Sequence, residues 1–539
     1  MSTNSNQPKV AYFCMEYALE TNFKQYAGGL GILAGDYLKG AKDHDFPVIG
    51  IGLLWKQGYT DQVLDEEGKP YDTYHNYSYD FLEDTGVEVE VLIRKRKVRA
   101  KVWKCTEFGN ADLYLLDTNI EGNNDAWITG QLYGWFEEER VAQEMILGIG
   151  GVRALRELGI DIDVYHFNEG HALFAGFELM REKMEAGKTH EEAMESTKNE
   201  IAFTTHTPVV QGNESHPIDR LMYMGADNKV FSRSQLRALG GSPFNMTVAA
   251  LRLSKKANAV AQLHNETANQ MWSKVDNRAE IIGITNGIHI PTWVDEQMIK
   301  VAEEGGDLWA THMENKKRLF AYVEENNGVT LNPDVLTIGF SRRAVAYKRS
   351  DLIFTKRSVI APLLKKGKLQ IIFSGRAHPL DDAGKATIET IVDLSKEYPN
   401  SVVFLQNYSM EVGALLTGGS DVWLNNPRRP KEASGTSGMK AAMNGSLNLS
   451  ILDGWWPEAC DHGVNGWQFG DGFESKGVKK QDKHDVNALY DVLLNEVIPT
   501  YYDNHDKWVE MMKASILSTK DQFAVKRMLE EYYDLLYTA

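Results

Sequence analysis

EASGTSGMKAAMN, residues 432–444, sets one lysine, Lys440, at the end of a small, hydroxyl-rich loop that is about to become a helix. Gly435 and Gly438 keep the backbone free of side-chain bulk there, while Ser434, Thr436 and Ser437 offer hydroxyls and N–H groups to an anion at the helix N-terminus. Such a loop holds phosphate. It is not the nucleotide-triphosphate loop, which ends Gly-Lys-Ser/Thr, because Met439 precedes the lysine and Ala441 follows it. On these residues alone two chemistries stay open for Lys440. Its amine either forms a Schiff base with the aldehyde of pyridoxal 5′-phosphate, the loop taking the 5′-phosphate, or pairs with a substrate phosphate as a point charge.

On both sides of this loop, short apolar runs rich in β-branched residues alternate with segments of helical period, the pattern of parallel sheets covered by helices. Strands are predicted at 10–14, 48–53, 162–167, 201–205 and 281–285, and again at 336–340, 369–374, 402–405, 421–424 and 447–452. The expected fold class is therefore α/β, with two Rossmann-like doubly wound domains facing each other across a cleft. The boundary is placed near Asn286, where an Asn-Gly turn ends the first series, giving domains of 1–285 and 286–539; a helical stretch at 295–327 leads into the second. Open parallel sheets bind ligands beyond the carboxyl ends of their strands. Those ends carry Asn168-Glu169-Gly170-His171, His206-Thr207-Pro208, Asn286-Gly287-Ile288-His289, and Arg342-Arg343 with Lys348-Arg349.

At 539 residues, 43% hydrophobic and 25% charged, the composition is that of a globular protein with room for a large core. No stretch reaches membrane-span length, and the polar start MSTNSNQPKV lacks the basic flank and apolar core of a signal peptide, so a cytoplasmic protein is expected. Cys14, Cys105 and Cys460 lack metal-ligand spacing and read as reduced thiols; no metal is expected. The formal net charge of −17, from 58 basic and 75 acidic residues, argues against nucleic acid and anionic membranes as partners. A phosphate substrate would then need locally clustered cations. Arg342, Arg343, Lys348 and Arg349 supply four within eight residues, and like charges crowded at a cleft call for an anion.

The run EASGTSGMKxxxNG, continued by LNLSILDGWW, together with AGGLGxLAGDxLKxA at 27–41, resembles the α-glucan (glycogen, starch and maltodextrin) phosphorylases in their short microbial form. The resemblance extends from near Tyr12 to about Asp471. It implies the two-domain fold of the GT-B glycosyltransferases, with the helical, tyrosine-rich end (486–539) packing back on the first domain. It also implies that Lys440 carries pyridoxal 5′-phosphate as a Schiff base, with Thr436, Ser437, Gly438, Arg342, Tyr408 and Trp293 around the cofactor. Arg343 and Lys348 would bind the substrate phosphate with the backbone amides of Gly29 and Leu30. His206 and Asn286 would bond hydroxyls of the reacting glucosyl unit, Glu169 and His171 would shape its pocket, and Glu432, Ser434 and Gly435 would bind its 3- and 4-hydroxyls. Ala27, Ile32, Ser409, Lys255 and Ala259 depart from the longer relatives; no cofactor contact is carried over to Ile32.

The implied reaction is reversible phosphorolysis of a terminal α-1,4-linked glucosyl residue of a glucan or maltooligosaccharide, giving α-glucose 1-phosphate with retained configuration. Inorganic phosphate, assisted by the cofactor's phosphate, would protonate the leaving oxygen. A homo-oligomer is compatible with this reading. No phosphorylation or nucleotide switch is expected, since the chain starts without the long extension of regulated relatives. Two rivals share the fold: a nucleotide-sugar-dependent glucan synthase, which would carry no pyridoxal, and an inactive glucan-binding protein, which would lack the charged contacts. A hydrolytic carboxylate pair, with Asp453 and Glu458 among the candidates, would need a separation that sequence does not supply.

Overall fold

The computed structural model describes residues 7–134 and 136–538. The chain divides into two compact units: one comprises the residues up to Tyr59, Tyr74–Thr285 and those from Met528 onward, the other Thr60–Thr73 and Asn286–Arg527. The chain is α/β, each unit being built on a large sheet.

Among the described residues, the first unit's sheet has nine strands. Their spatial order is Glu280–Gly283, Lys256–Ala259, Ile201–Thr204, Val164–Asn168, Val10–Phe13, Val48–Leu53, Leu113–Asp117, Arg96–Cys105 and Glu83–Ile93. Pairing is parallel through the first seven and antiparallel for the last two. Central strands such as VAYF and VIGIGL are buried at every residue, because helices cover both faces, and so they read as continuous apolar runs. The two antiparallel strands are absent from the sequence reading, which looked for such runs. Their signal is alternation: Val89, Val91 and Ile93 are buried while Glu88, Glu90 and Leu92 are exposed. Three parallel strands are also not among those predicted: Lys256–Ala259 (KANA), which has no apolar run, Leu113–Asp117 (LYLLD), which has one, and Gly466–Phe469 in the second unit.

The C-terminal residues belong to this first unit. The Tyr537 hydroxyl lies 2.6 Å from Nδ1 of buried His166 and 2.5 Å from the Tyr37 hydroxyl, and Tyr37 stacks on Tyr12 with ring centroids 4.2 Å apart.

The second unit's sheet runs Val402–Leu405, Gln370–Ser374, Thr337–Ser341, Val422–Asn425, Leu447–Ile451, Gly466–Phe469, all parallel. In chain order this is third, second, first, fourth, fifth, sixth, the doubly wound order of dinucleotide-binding sheets. Winding reverses between Thr337–Ser341 and Val422–Asn425, and ligands bind beyond the carboxyl ends of such a strand pair. In the first unit the corresponding pair is Val10–Phe13 and Val164–Asn168. The hairpin Asp61–Leu64 with Pro70–Thr73 packs in the second unit, where the Gln62 amide exchanges hydrogen bonds of 3.1 and 2.9 Å with the backbone of Ala377. No helix among the described residues is long and apolar enough to cross a membrane, and the three cysteines are free.

Candidate active site

Beyond the second unit's switch point the chain assembles a charged loop. Arg342 follows strand Thr337–Ser341 and reaches across to Asn425, the last residue of the neighbouring strand, donating Nε–H to its Oδ1 at 2.9 Å. The same guanidinium donates to Ser437 Oγ (3.0 Å) and Glu432 Oε2 (3.1 Å), so it ties the quoted loop to the sheet. Lys348, buried, donates to the same Glu432 oxygen at 2.5 Å. Burial would raise the Glu432 carboxyl, but Lys348 and Arg342, with Arg343 behind them, hold it below the usual carboxylate range. Asp453, also buried, accepts the backbone N–H groups of Glu432 (3.0 Å) and Gly454 (2.8 Å); burial pushes its carboxyl up to about 8.

The loop then turns into the helix Thr436–Met443. Gly435 precedes it at φ 82°, where a side chain would be strained, and the first turn has neither a side-chain cap nor an acidic residue. Those N–H groups are suited to an anion. Gly438 admits no side chain, since a Cβ would stand 2.7 Å from Trp455 Nε1 and 2.8 Å from Asn448 Oδ1. Ser434 Oγ is buried without a hydrogen-bond partner, a vacancy for a donor or acceptor that the protein does not fill. One turn further on, Lys440 is buried with Nζ 3.5 Å from the ring centroid of Trp293. Asn444 ties the backbone that carries that ring to the end of the lysine's helix: it donates Nδ2–H to Trp293 O (3.0 Å) and accepts Asp295 N–H (2.9 Å). These features fit pyridoxal 5′-phosphate: an uncapped helix start, a hydroxyl awaiting a partner, a glycine cradle, and a buried lysine against an aromatic ring.

The four-cation run disperses. Arg343 is exposed and, among the described residues, makes no ion pair. Arg349 is committed to the fold, bonded to Asp485 (2.8 Å), Asp482 (3.0 Å) and the carbonyls of Asn426 and Pro427. The expectation that all four crowd around one outside anion therefore does not hold; the acids of a neighbouring helix and Glu432 neutralise part of the charge. Asn286 is buried with Oδ1 unpartnered, while its carbonyl accepts from Arg527 at 3.0 Å. Tyr408 packs its ring beside the apolar cluster of Leu319, Val412 and Leu416.

In the first unit Glu169 sits at φ 76°, and its carboxylate accepts the backbone N–H of His206 (2.6 Å) and Gly170 (3.2 Å) and the Thr207 hydroxyl (3.2 Å). It joins the two predicted turns. His206 Nε2 lies 2.5 Å from Asn168 Oδ1; the amide oxygen accepts, so Nε2 carries the proton and Nδ1 is left as an acceptor. Burial pushes this ring down to about 3 and His171 to about 4, so both are neutral at pH 7. His171, with Nδ1 buried and unpartnered, lies beside Tyr133 and brings a ligand-type atom within 4.8 Å of Glu144 and Glu214. Three remote segments make this group, and sequence spacing could not show it. Arg140 (3.5 Å) and His216 (2.6 Å) attend Glu214, while burial and the Glu214 charge push the Glu144 carboxyl up. Gly29 and Leu30 open the helix Gly29–Asp43, which also starts without a side-chain cap. Sequence reasoning also passed over Asn425 and Asn444, whose roles are contacts across the fold.

The family model for carbohydrate phosphorylases matches residues 296–538. The chain is 37% identical to the maltodextrin phosphorylase of Thermococcus litoralis over 99% of its own length and 72% of that protein. It is 35% identical to the glycogen phosphorylase of Aquifex aeolicus over 98% and 86%. The chain belongs to the carbohydrate phosphorylase family. An uncharacterised protein of Methanocaldococcus jannaschii is 38% identical over 98% of this chain and 99% of its own. As a phosphorylase the protein is an enzyme of the glycosyltransferase class, and the matched family segment contains every second-unit site residue from Arg342 to Lys440. Two departures of this phosphorylase have structural accounts. Ile32 is buried in the helix behind the glycine loop, and Ser409 caps the helix Met410–Gly419 by accepting Val412 N–H at 3.2 Å.

Proposed function

We propose that the enzyme is a retaining α-1,4-glucan phosphorylase, converting the terminal glucosyl residue of a maltooligosaccharide or glycogen chain and inorganic phosphate into α-glucose 1-phosphate. The observation that carries this reading is Lys440, buried against Trp293 in an uncapped helix whose loop is tied to Arg342 and Lys348 and contains the unpartnered Ser434 hydroxyl. Thr436, Ser437 and Gly438 would hold the phosphate of pyridoxal 5′-phosphate, with Lys440 and Trp293 at its ring. The chemistry that group supplies when bound is a second, proton-exchanging phosphate beside the substrate's own.

The protein's residues hold the reactants. Arg343 and Lys348 bind inorganic phosphate in the second unit, and in the first the N–H groups of Gly29 and Leu30 are a further set of donors suited to a phosphate. Preorganised cations lower the cost of placing such anions in a site, which water does poorly. Neutral His206 offers its Nδ1 to a sugar hydroxyl, and Asn286 offers its unpartnered Oδ1 to another. As the glycosidic bond breaks, the leaving 4-oxygen takes a proton from the phosphate, and a phosphate oxygen bonds to C1 on the same face. The shortened glucan and glucose 1-phosphate together contain every atom of glucan and phosphate.

Incubation with phosphate and maltooligosaccharides of defined length, with glucose 1-phosphate assayed, tests the proposal directly. Glucose 1-phosphate is expected; release of free glucose alone would sink the reading. Substitution then separates the two cations. Arg343→Ala weakens use of phosphate and of glucose 1-phosphate by about 1.5–3 kcal/mol, the worth of one charge-assisted contact, and leaves thermal stability unchanged because the side chain is exposed. Lys348→Ala weakens both substrates too, and in addition costs about 3 kcal/mol of stability by depriving buried Glu432 of a partner. Unaltered phosphate kinetics in both variants would remove the two cations from the phosphate site.

A further inference from the structure

Glu16 stands three residues past strand Val10–Phe13 and is buried. Its Oε2 accepts the N–H groups of Ala27 (2.6 Å) and Gly28 (3.0 Å), while Oε1 accepts the Tyr133 hydroxyl at 2.9 Å. The same stretch of chain presses on the helix Gly29–Asp43. Ala18 donates its N–H to Gly31 O at 2.8 Å, a Cβ at Gly31 would lie 2.6 Å from Glu16 Oε2, and one at Gly35 would run into Ala18 O. Two glycines of the loop and helix are thus glycine because Glu16 and Ala18 lie against them. Gly28 and Gly29 are different: nothing stands within 4 Å of where their Cβ atoms would be. That side of the turn is open, and the helix begins there without a side-chain cap. Tyr133, at φ 55°, carries the linkage onward, its ring 5.8 Å from that of His171 and 5.1 Å from the Arg140 guanidinium.

We propose that Glu16 is the positioning residue of the glycine loop, taking the N–H groups of Ala27 and Gly28 so that those of Gly29 and Leu30 are presented, already oriented, to the substrate phosphate. This rests on the phosphorolytic reading above. A glycine-rich turn without such a partner samples many conformations, and the phosphate would have to order it on binding. A carboxylate is an unusual neighbour for an anion site, and its place behind the turn is explained by the two inward N–H groups it satisfies.

The test compares Glu16→Ala, Glu16→Gln and Tyr133→Phe in KM for phosphate, KM for maltooligosaccharide, and the rise in melting temperature produced by inorganic phosphate alone. Glu16→Ala is expected to raise the phosphate KM about tenfold or more with the glucan KM within about twofold, as a misplaced binding group does. Glu16→Gln, which keeps an acceptor oxygen, recovers most of the loss, and Tyr133→Phe falls between it and wild type. Equal rises in both KM values, or a Gln variant as impaired as Ala, would overturn the assignment. If wild-type protein made no glucose 1-phosphate, the proposed function would fail by itself. The phosphate-induced melting shift would still judge Glu16: a shift in Glu16→Ala equal to wild type overturns the positioning role, and its loss supports it.

Discussion

Lys440→Ala is expected to purify without a vitamin B6 absorbance band and to lose phosphorolysis by roughly 10³-fold or more, because the variant removes the only group at this helix able to bond an aldehyde and leaves the electrostatics of the site incomplete. The fold should survive. Lys440 lies in the helix Thr436–Met443, where alanine is the best helix former, and the neighbouring Met439, Ala441 and Ala442 remain to pack the core. Circular dichroism and melting temperature therefore stay close to wild type while absorbance and initial rate collapse. The two readings of Lys440 left open by its sequence separate here. A lysine acting as a point charge predicts weakened phosphate binding in a protein that never carried pyridoxal; a cofactor lysine predicts loss of the absorbance band together with the rate. A variant that keeps wild-type turnover would remove Lys440 from the chemistry altogether.

Mild acid should destabilise the first unit steeply. His166, His171, His206 and His264 are held there as neutral rings, burial pushing them down to about 3, 4, 3 and 4. In the unfolded chain each regains an ordinary value near 6.5, so below that pH the unfolded state binds more protons and stability falls. The sign is that of a base with a depressed folded value: no cost above about pH 6.5, and a growing cost down to the folded values near 4 and 3. Each ring costs the protein about 1.4 kcal/mol per pH unit in that window, or about 5.5 kcal/mol per pH unit for the four together. Carboxylates held low by cations, such as Glu178, Asp421 and Glu432, add their losses only at lower pH. Calorimetry between pH 7.5 and 5 should show the melting temperature falling progressively below about 6.5. Asp453 and Glu144, whose carboxyls burial pushes up, bind protons first in the folded state and offset part of this loss; a melting temperature that rose between pH 7.5 and 5 would mean that the rings are not held neutral in the fold.

Legibility in the sequence followed the locality of the signal. The quoted loop could be read because its physics is local: two glycines, three hydroxyls and one lysine at the start of a helix define an anion cradle whatever surrounds them. The central parallel strands were legible for a related reason, since burial on both faces leaves a continuous apolar run. The antiparallel strands at Glu83–Ile93 and Arg96–Cys105 went unpredicted, because their signal lies in alternation rather than in apolar runs. What the chain order could not disclose was who neutralises whom. Arg349 and Lys348 are adjacent in sequence, yet one is bonded to the fold's own acids and the other to Glu432, because adjacent side chains point to different partners once the backbone turns. Glu16 and Tyr133 meet although 117 residues separate them, and Glu144, His171 and Glu214 come together from three segments. Residue types and short spacings sufficed for the kind of chemistry and its cradle. The charge balance and the orientation of each group depend on contacts between remote segments, and those exist only after the sheets have brought the ends of their strands together.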